Sequence, residues 1–385
     1  MSSLAYPRYK DSGADWIGQT PAHWEVKRLG YFFSERRTKV SDKDYIPLSV
    51  TKQGVVPQLE SAAKTDDGDN RKLVLTGDFV INSRSDRKGS SGLSSLDGSV
   101  SLINTVIQPQ PFVLGRFIHY LMRSPPFQEE FYRYGKGLVA DLWSTNYTGM
   151  QNIMLSLPPL PEQVRIADFL DRKTTAIDAA IANKQELIAA LAKYREAVIA
   201  EAVAPREGWR TMRLKHLVTA LPKSTLPAGT ATEEGSVPFY VSGAQVKRTE
   251  QSVVTSGIAA VLATGGSATV HLAIGDFAYS TDCWALESRE STEYLYFLLE
   301  AVKPLIAEEG FRGAGIKHLD KDWLLDLPIK LPIELKQRSI ANTLQHQVNT
   351  IYSAISKAEQ AVAMLKDYRA SLISEAVTGK LTIPD

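Results

Sequence analysis

One stretch of this chain occurs twice. Residues 163–203 align with residues 337–377 without a gap, at a constant offset of 174 positions. Identical pairs include Gln163/Gln337, Ile166/Ile340, Ala167/Ala341, Leu170/Leu344, Ile177/Ile351, Ile181/Ile355, Leu191/Leu365, Tyr194/Tyr368, Arg195/Arg369 and Ile199/Ile373, and the run Glu201-Ala202-Val203 returns as Glu375-Ala376-Val377. An ungapped match concentrated at apolar positions marks an internal duplication, and this constrains the fold before any local propensity does.

The repeated stretch reads as a helix. Leu170, Ile177, Leu191 and Val198 lie seven residues apart or at a multiple of seven, and Leu344, Ile351, Leu365 and Leu372 repeat that row. Leu187 and Tyr194 are expected to form a companion row, with Lys184 and Ala358 interrupting the seam. A seven-residue apolar repeat needs a partner helix. Neither copy contains Gly or Pro, and Ala is frequent, so propensity agrees with pattern. A helix of roughly 40 residues is a rod of about 60 Å. Its natural partner is its own duplicate. The ends of a compact domain usually lie close together, so the second helix is expected to start near where the first stops and to run back antiparallel.

The predicted fold is therefore α+β. Two mixed α/β globular domains, 1–157 and 206–330, are separated by two long antiparallel helices forming a coiled-coil spacer. The helices occupy 158–205 and 331–385, the latter with a short tail from Lys380 to Asp385, and a pseudo-twofold duplication relates the halves.

Composition narrows the function class. The 385 residues carry a net charge of +1, with +3 on residues 1–157 and −2 on residues 206–330, so any grip on nucleic acid rests on local patches or on partners. No apolar run approaches the length of a membrane span and the N-terminus lacks a signal-peptide pattern, which makes a cytoplasmic protein without membrane contact the default. The single cysteine, Cys283, excludes an intrachain disulfide and a cysteine-cluster metal site, and the six histidines show no ligand spacing.

Along the chain, residues 1–24 are turn-rich with interspersed aromatics, expected to pack Trp residues on a core. Trp24-Glu25-Val26-Lys27-Arg28-Leu29 is echoed by Trp209-Arg210-Thr211-Met212-Arg213-Leu214, so the duplication extends beyond the helices. Strand-like Ile46–Val50 and Val237–Val241 each run into a polar turn. Further strands are expected over Asp78–Ile81, Val100–Ile107 and Phe277–Leu286. Phe117–Met122 and Tyr294–Leu299 read as short amphipathic helices. Leu155–Pro159 and Leu327–Pro332 are extended runs into proline that announce the long helices.

Ser124-Pro125-Pro126-Phe127 has the form of the catalytic loop of DNA amino-methyltransferases, in which a polar group holds the base amino group and an aromatic ring stacks on a flipped base. Neither a Gly-rich cofactor loop nor the alternation of a doubly wound sheet accompanies it. It follows a helix-like stretch, where Pro is a common stop. Gly265-Gly266 lacks the ending of a phosphate loop. No catalytic or metal-ligating residue is assigned.

The polar loops carry the candidates for DNA contact. In the first half these are Lys52, Gln53, Arg84, Arg87, Lys88, Ser90, Ser91 and Lys136, within Thr51–Gly54, Asn82–Gly92 and Tyr134–Gly137. In the second they are Gln245, Lys247, Arg248, Thr264, Ser267, Arg312 and Lys317, within or beside Ser242–Gln245, Ala263–Thr269 and Phe311–Lys317. Arg and Gln suit bidentate contacts to base edges, and Ser, Thr and Lys position the backbone. Such loops are ordinarily just solvated; their recurrence at matching places favours a binding role.

These residues resemble the DNA-specificity (S) subunits of type I restriction–modification enzymes. Tyr9-Lys10-Asp11-Ser12-Gly13, Trp16-Ile17-Gly18 and Pro21-Ala22-His23-Trp24 are similar to the family's N-terminus. Leu157-Pro158-Pro159-Leu160-Pro161-Glu162-Gln163, leading into Ile166-Ala167 and Leu170, looks like its central region. Ile373-Ser374-Glu375-Ala376-Val377-Thr378-Gly379-Lys380 fits its exit, whereas the second entry, Leu331-Pro332-Ile333-Glu334-Leu335-Lys336-Gln337, departs from the pattern. The resemblance implies two target-recognition domains, each reading half of a bipartite, asymmetric double-stranded DNA site, with the helix pair as the ruler between them. It implies a chain that is not itself an enzyme and binds no cofactor. Two methyltransferase (M) subunits would carry S-adenosylmethionine, and two restriction/translocase (R) subunits would use ATP and Mg. Ile188 and Val362, apolar and off the seam, are candidates to face partners. The alternatives are an autonomous methyltransferase and a coiled-coil protein-interaction scaffold without DNA specificity.

Overall fold

The computed structural model describes residues 6–60, 68–84, 87–136, 143–313, 315 and 317–383. Ser85, Asp86, Gly137, Ala314, Ile316, Pro384 and Asp385, which belong to the loops and tail singled out above, lie outside the described residues.

Both long helices are present, Leu160–Val203 and Glu334–Val377, each 44 residues long, and their bounds obey the same 174-residue shift as the sequence repeat. The first starts two residues beyond the expected 158 and the second three beyond 331. The cause is plain: Pro328–Leu331 is still a strand, and the prolines at 158, 159 and 332 favour extended backbone before them. The chain divides into two compact units, and the division cuts across both helices: Met1–Asn183 with Ala361–Asp385, and Lys184–Gln360. Each unit thus holds one globular part and a half of each helix.

In the first unit, Ile166, Leu170 and Ile177 share a core with Leu372, Ile373, Ala376 and Val377. The pair is antiparallel. Arg369 Nε lies 2.9 Å from Asp178 Oδ1, while Gly379, just past the end of one helix, packs on Trp24, whose indole Nε1 donates to Glu162 at the start of the other (3.2 Å). In the second unit, Ile199 and Val203 share a core with Ala341, Leu344 and Val348, and Arg195 donates to the Tyr352 hydroxyl with its guanidinium 5.4 Å from the ring centre. Arg195 and Arg369 are one shift apart, as are Asp178 and Tyr352. The same arginine therefore closes the same antiparallel register in both units.

One expected row is displaced. Leu187 and Tyr194 are exposed (43% and 58%). The inward companion row is Thr174, Ile181, Ile188 and Arg195, repeated as Val348, Ile355, Val362 and Arg369, and these side chains are buried or half-buried. A two-helix seam takes two rows spaced by three and four residues, and here the interval to the second row runs in the other direction. Val362 (9% exposed) consequently belongs to the seam rather than to a free face, and Ala358 (5%) fills the seam rather than interrupting it. Leu170, Ile177, Leu344, Ile351 and Leu372 are buried as expected; Leu191, Val198 and Leu365 are half-buried.

The globular parts are rooted on the helices by matching ribbons. Glu25–Arg28 pairs antiparallel with Met154–Leu157, with Glu25 opposite Leu157; Arg210–Arg213 pairs with Pro328–Leu331, with Arg210 opposite Leu331. The register is the same in both. A buried glutamine fastens each ribbon to its helix. Gln163 Nε2 donates to the Pro158 carbonyl (2.9 Å) and its Oε1 accepts from Leu114 N (2.7 Å). Gln337 Nε2 donates to the Pro332 carbonyl (2.9 Å) and to Glu290 Oε2 (2.5 Å). Leu114 and Glu290 lie just before the helices Gly115–Arg123 and Thr292–Leu305. The repeated Gln thus sets one short helix against one long helix in each half.

Between these roots the halves differ. The first carries a four-stranded sheet (in order Ser91–Leu93, Phe79–Asn82, Asn104–Pro109, Phe33–Glu35) and a three-stranded sheet (Gly98–Val100, Arg71–Val74, Lys39–Val40). The second carries one six-stranded sheet centred on Val254–Ala263 and Val270–Tyr279, with a single parallel pairing, Val237–Tyr240 on Val270–Tyr279. Two expected strands are each divided by a turn. Val100–Ile107 breaks at Ser101–Ile103, and Phe277–Leu286 at Ser280–Asp282, where Cys283 N donates back to the Ser280 carbonyl (3.0 Å).

The lead-in docks on the first helix through Glu162, which accepts from Tyr6 Oη (2.6 Å) and Trp24 Nε1 (3.2 Å) and pairs with His23 Nε2 (2.8 Å). Burial and the Glu162 carboxylate push the Tyr6 phenol well above its usual range. Gly379 has φ +75°, and a Cβ there would sit 2.2 Å from Pro21 Cδ. Gly379→Ala is expected to destabilise the first unit by about 1–3 kcal/mol, from the left-handed backbone and the clash together. A lower denaturation midpoint checks this; an unchanged midpoint would show that the lead-in is not packed there.

Candidate nucleic-acid interface

In the first unit, strand Phe79–Asn82 runs into a loop that is pinned from outside. Arg84 forms an isolated antiparallel bridge to Ser144, which also bridges Lys136. Lys136 N donates to the Ser144 carbonyl (2.9 Å), Ser144 N returns to the Lys136 carbonyl (3.1 Å), and Thr145 N donates to the Ser83 carbonyl (3.0 Å). Arg84 and Lys136, far apart in sequence, therefore stand on adjoining backbone segments with exposed side chains. Arg87 is exposed nearby, its N–H donating to the Arg84 carbonyl (3.2 Å).

The second unit repeats this device with different residues. Strand Val254–Ala263 runs into Thr264-Gly265-Gly266-Ser267. Gly265 bridges His318, Gly266 N donates to the Lys317 carbonyl (3.3 Å), and Leu319 N donates to the Thr264 carbonyl (2.9 Å). Gly266 is in the left-handed region (φ +84°), which a side chain would resist. Ser267 and Lys317 are exposed and Thr264 half-buried; Arg312, exposed, pairs with Asp320 (3.1 Å). Gln245, Lys247 and Arg248 lie on a separate hairpin, formed by Val237–Tyr240 and Lys247–Thr249, and all three are exposed.

Two candidates are corrected. Ser90 (7% exposed) and Ser91 (1%) lie inside the fold, Ser91 opposite Ile81 in the four-stranded sheet. Hydroxyls there cannot reach a duplex. In such a loop small polar residues also serve to let strands approach, and the sequence pattern does not separate the two uses. Ser124-Pro125-Pro126-Phe127 is structural as well. Ser124 stands just before the helix Pro125–Arg133 without capping it, its Oγ donating instead to the Leu121 carbonyl (2.7 Å) of the preceding helix, and Phe127 is fully buried against Trp16 and Phe131. An aromatic held there cannot stack on a flipped base.

Lys52 and Lys88 meet residues that the loop pattern missed. They line a cleft of about 430 Å³ with His119, Tyr120, Arg123, Gln128 and Arg369. Lys52 and Gln53 sit in an exposed turn braced by Thr51 Oγ1, which accepts from Gln53 N (3.1 Å). Arg123 donates from Nη2 to the Lys52 carbonyl and from Nη1 to His119 Nε2 (2.8 Å). Lys88 pairs with Glu129 and lies 5.4 Å over the Tyr132 ring. Burial, then the Arg123 charge, pull the His119 pKa down to about 4. Arg369 was legible only as a repeat position, and Arg123 lies one residue beyond the expected helix Phe117–Met122, which the structure extends to Arg123.

Among the described residues, no group of three or more His, Cys, Asp or Glu is placed to hold a metal ion, and no helix is long and apolar enough to cross a membrane.

His119 has a signed consequence. Its folded pKa lies below the usual 6.5, so the unfolded chain binds the proton more readily. Stability from this group is complete above about pH 6.5, falls as pH drops toward 4, and is lost below that. The expected loss approaches about 3 kcal/mol at the low-pH limit. His119→Gln should flatten this part of the stability–pH curve relative to the parent; identical slopes between pH 4 and 6.5 would contradict it.

Comparison with known proteins places this geometry. Residues 206–361 match the family described as Type I restriction modification DNA specificity domain. The chain is 29% identical over 175 residues to the Type I restriction enzyme EcoDI specificity subunit of Escherichia coli, a match covering 45% of this chain and 39% of that protein. The chain thus spans about two fifths of the length of the curated relative it matches. In fold it is similar to a chain from a structure on complex assembly and conformational transition of the type I R-M system (TM-score 0.72, 18% identity, covering 93% of this chain and 98% of that one). It is also similar to the HsdS subunit from Thermoanaerobacter tengcongensis (TM-score 0.56, 20% identity, covering 94% and 98%).

Proposed function

We propose that this chain, whose residues 206–361 match the type I restriction–modification DNA specificity domain family, is the sequence-reading subunit of such a complex. Each half reads one part of a bipartite, asymmetric site on double-stranded DNA. The observation that carries this reading is the pinned loop pair found in both halves on the same helical root: Arg84 with Lys136 on Ser144 in one, Thr264 and Ser267 with Lys317 on His318 in the other. The frame is duplicated and the side chains on it are not, which is what reading two different half-sites requires.

The chain itself is non-catalytic in this reading. The Ser124–Phe127 motif is built into the core, which removes the one feature that favoured an autonomous methyltransferase. Adenine methylation and cleavage then belong to methyltransferase subunits holding S-adenosylmethionine and to restriction/translocase subunits using ATP and Mg, two of each, in the cytoplasm. A duplicated frame suits a pair of like partners. A chain net charge of +1 suits a complex in which partners share the phosphate contacts.

Exchanging residues 206–330 for the matching segment of a relative with a different target should change one half of the methylated site and leave the other intact. A site unchanged by the exchange would refute modular reading and favour a scaffold. Within one half, Arg84→Ala or Lys317→Ala should weaken binding to the cognate duplex, by about 1–3 kcal/mol where the side chain makes a bidentate base contact and by less where it meets a phosphate. Competition between cognate duplexes and single-base variants separates these cases, and unaltered affinity for all duplexes would exclude the residue from the interface.

A further inference from the structure

The duplication places a cleft at the same point in both units. In each, the short helix that follows the sheet lies against the long-helix position carrying the repeated arginine. In the first unit the lining includes His119, Arg123 and Arg369; in the second, a cleft of about 400 Å³ includes Tyr296, Glu300 and Arg195. Phe117–Met122 aligns with Tyr294–Leu299, which sets His119 against Tyr296 and Arg123 against Glu300. The frame is shared and the charge is not.

In the second unit the arginine is neutralised in place. Arg195 Nη2 lies 3.1 Å from Glu300 Oε2, Lys303 Nζ lies 2.9 Å from Glu300 Oε1, and Glu300 is buried. In the first unit the position of Glu300 holds Arg123, which has no carboxylate partner among the described residues; its contacts are a carbonyl and an imidazole. Arg369 turns instead to Asp178 (2.9 Å), and Lys88 to Glu129 at the rim. Lys52, exposed, has no carboxylate partner among the described residues. Lys52, Lys88, Arg123 and Arg369 thus converge on one concave surface with no acidic residue among the described residues that line it. Burial is the main cause of the depressed His119 pKa; the Arg123 charge and, more weakly, the Arg369 charge add to it, and the Asp171 carboxylate opposes them.

We propose that the cleft lined by Lys52, Lys88 and Arg123 beside Arg369 binds a phosphate group, and that its twin in the second unit does not. The cleft offers ammonium donors and the Arg123 N–H groups not already given to His119 and the Lys52 carbonyl, the kind of donors phosphate oxygens take; Gln128 supplies a further polar group in the lining, while the Tyr120 hydroxyl is committed to Asp171 (2.7 Å). Given the DNA-reading function proposed above, on which this choice of source rests, the phosphate is one of the duplex backbone. Lys52 and Lys88 sit on exposed loops that are candidates for duplex contact, so in this reading the cleft anchors the first half-site electrostatically while the second half-site lacks this anchor.

The test uses the complete chain co-purified with its methyltransferase partner, with Lys52→Gln, Arg123→Gln and, as a control in the second cleft, Lys303→Gln. Two readouts are taken: the dependence of log Kd on log salt for the cognate duplex, and calorimetric titration with pyrophosphate. Lys52→Gln and Arg123→Gln should each reduce the salt slope by about 0.9 and weaken or abolish pyrophosphate binding, while Lys303→Gln leaves both unchanged. Lys52 is exposed, so its variant keeps the test valid if Arg123→Gln perturbs folding. Lost pyrophosphate binding with an unchanged salt slope would overturn the backbone as source and point to a free phosphate compound. Unchanged values in both readouts would overturn the phosphate site itself. If the parent complex shows no preference for any duplex, the DNA-reading function fails, and the pyrophosphate titration still decides the cleft.

Discussion

Neither long helix can bury its apolar stripe alone, and the rest of the structure follows from that constraint. Each is 44 residues long with inward rows that no single globular part could cover. The duplicate supplies the missing surface, and in both units the two segments run antiparallel with one register. Thr174, Ile181, Ile188 and Arg195 on one helix, and Val348, Ile355, Val362 and Arg369 on the other, complete the seam that the seven-residue Leu and Ile rows begin. The repeated arginine marks the register. It meets Tyr352 in one unit and Asp178 in the other, so the geometry is kept while the partner chemistry changes.

What sits on this frame is fastened by buried polar residues. Gln163 and Gln337 each hold the carbonyl five residues back and the loop before a short helix. Leaving such a group unpaired in the interior costs about 1–3 kcal/mol, so the position of each globular half relative to its own helix root is well defined. The loops that protrude from it are then free to vary. Arg84, Lys136 and Ser144 in one half and Thr264, Lys317 and His318 in the other occupy the same structural role without sharing an identity.

The helices, their bounds to within three residues and the two-part architecture were legible in the sequence because apolar periodicity and an ungapped repeat report burial directly; the echo of residues 24–29 in residues 209–214 was visible too, but its pairing with the extended run before each helix emerges only from the structure. The second row of the seam was misread for a physical reason: Leu187 and Tyr194 have the right chemistry and spacing, and only packing shows that Thr174 and Arg195 face inward instead. The candidate site was half legible. Loop composition pointed to Lys52, Arg84, Lys136, Gln245 and Lys317, which are exposed, but also to Ser90 and Ser91, which are buried. Arg123 and Arg369 escaped notice because a cation on a helix ordinarily faces solvent, and nothing local shows that two of them share a cleft with loop lysines.

The central claim is that one duplicated frame reads DNA at two different half-sites. It is tested most directly by single-molecule sequencing of methylated adenines in cells that express this chain with its methyltransferase partner. The account predicts one bipartite motif, two short and unlike half-sites separated by a fixed gap. A stable complex with no methylated motif, or a single contiguous motif, would contradict it.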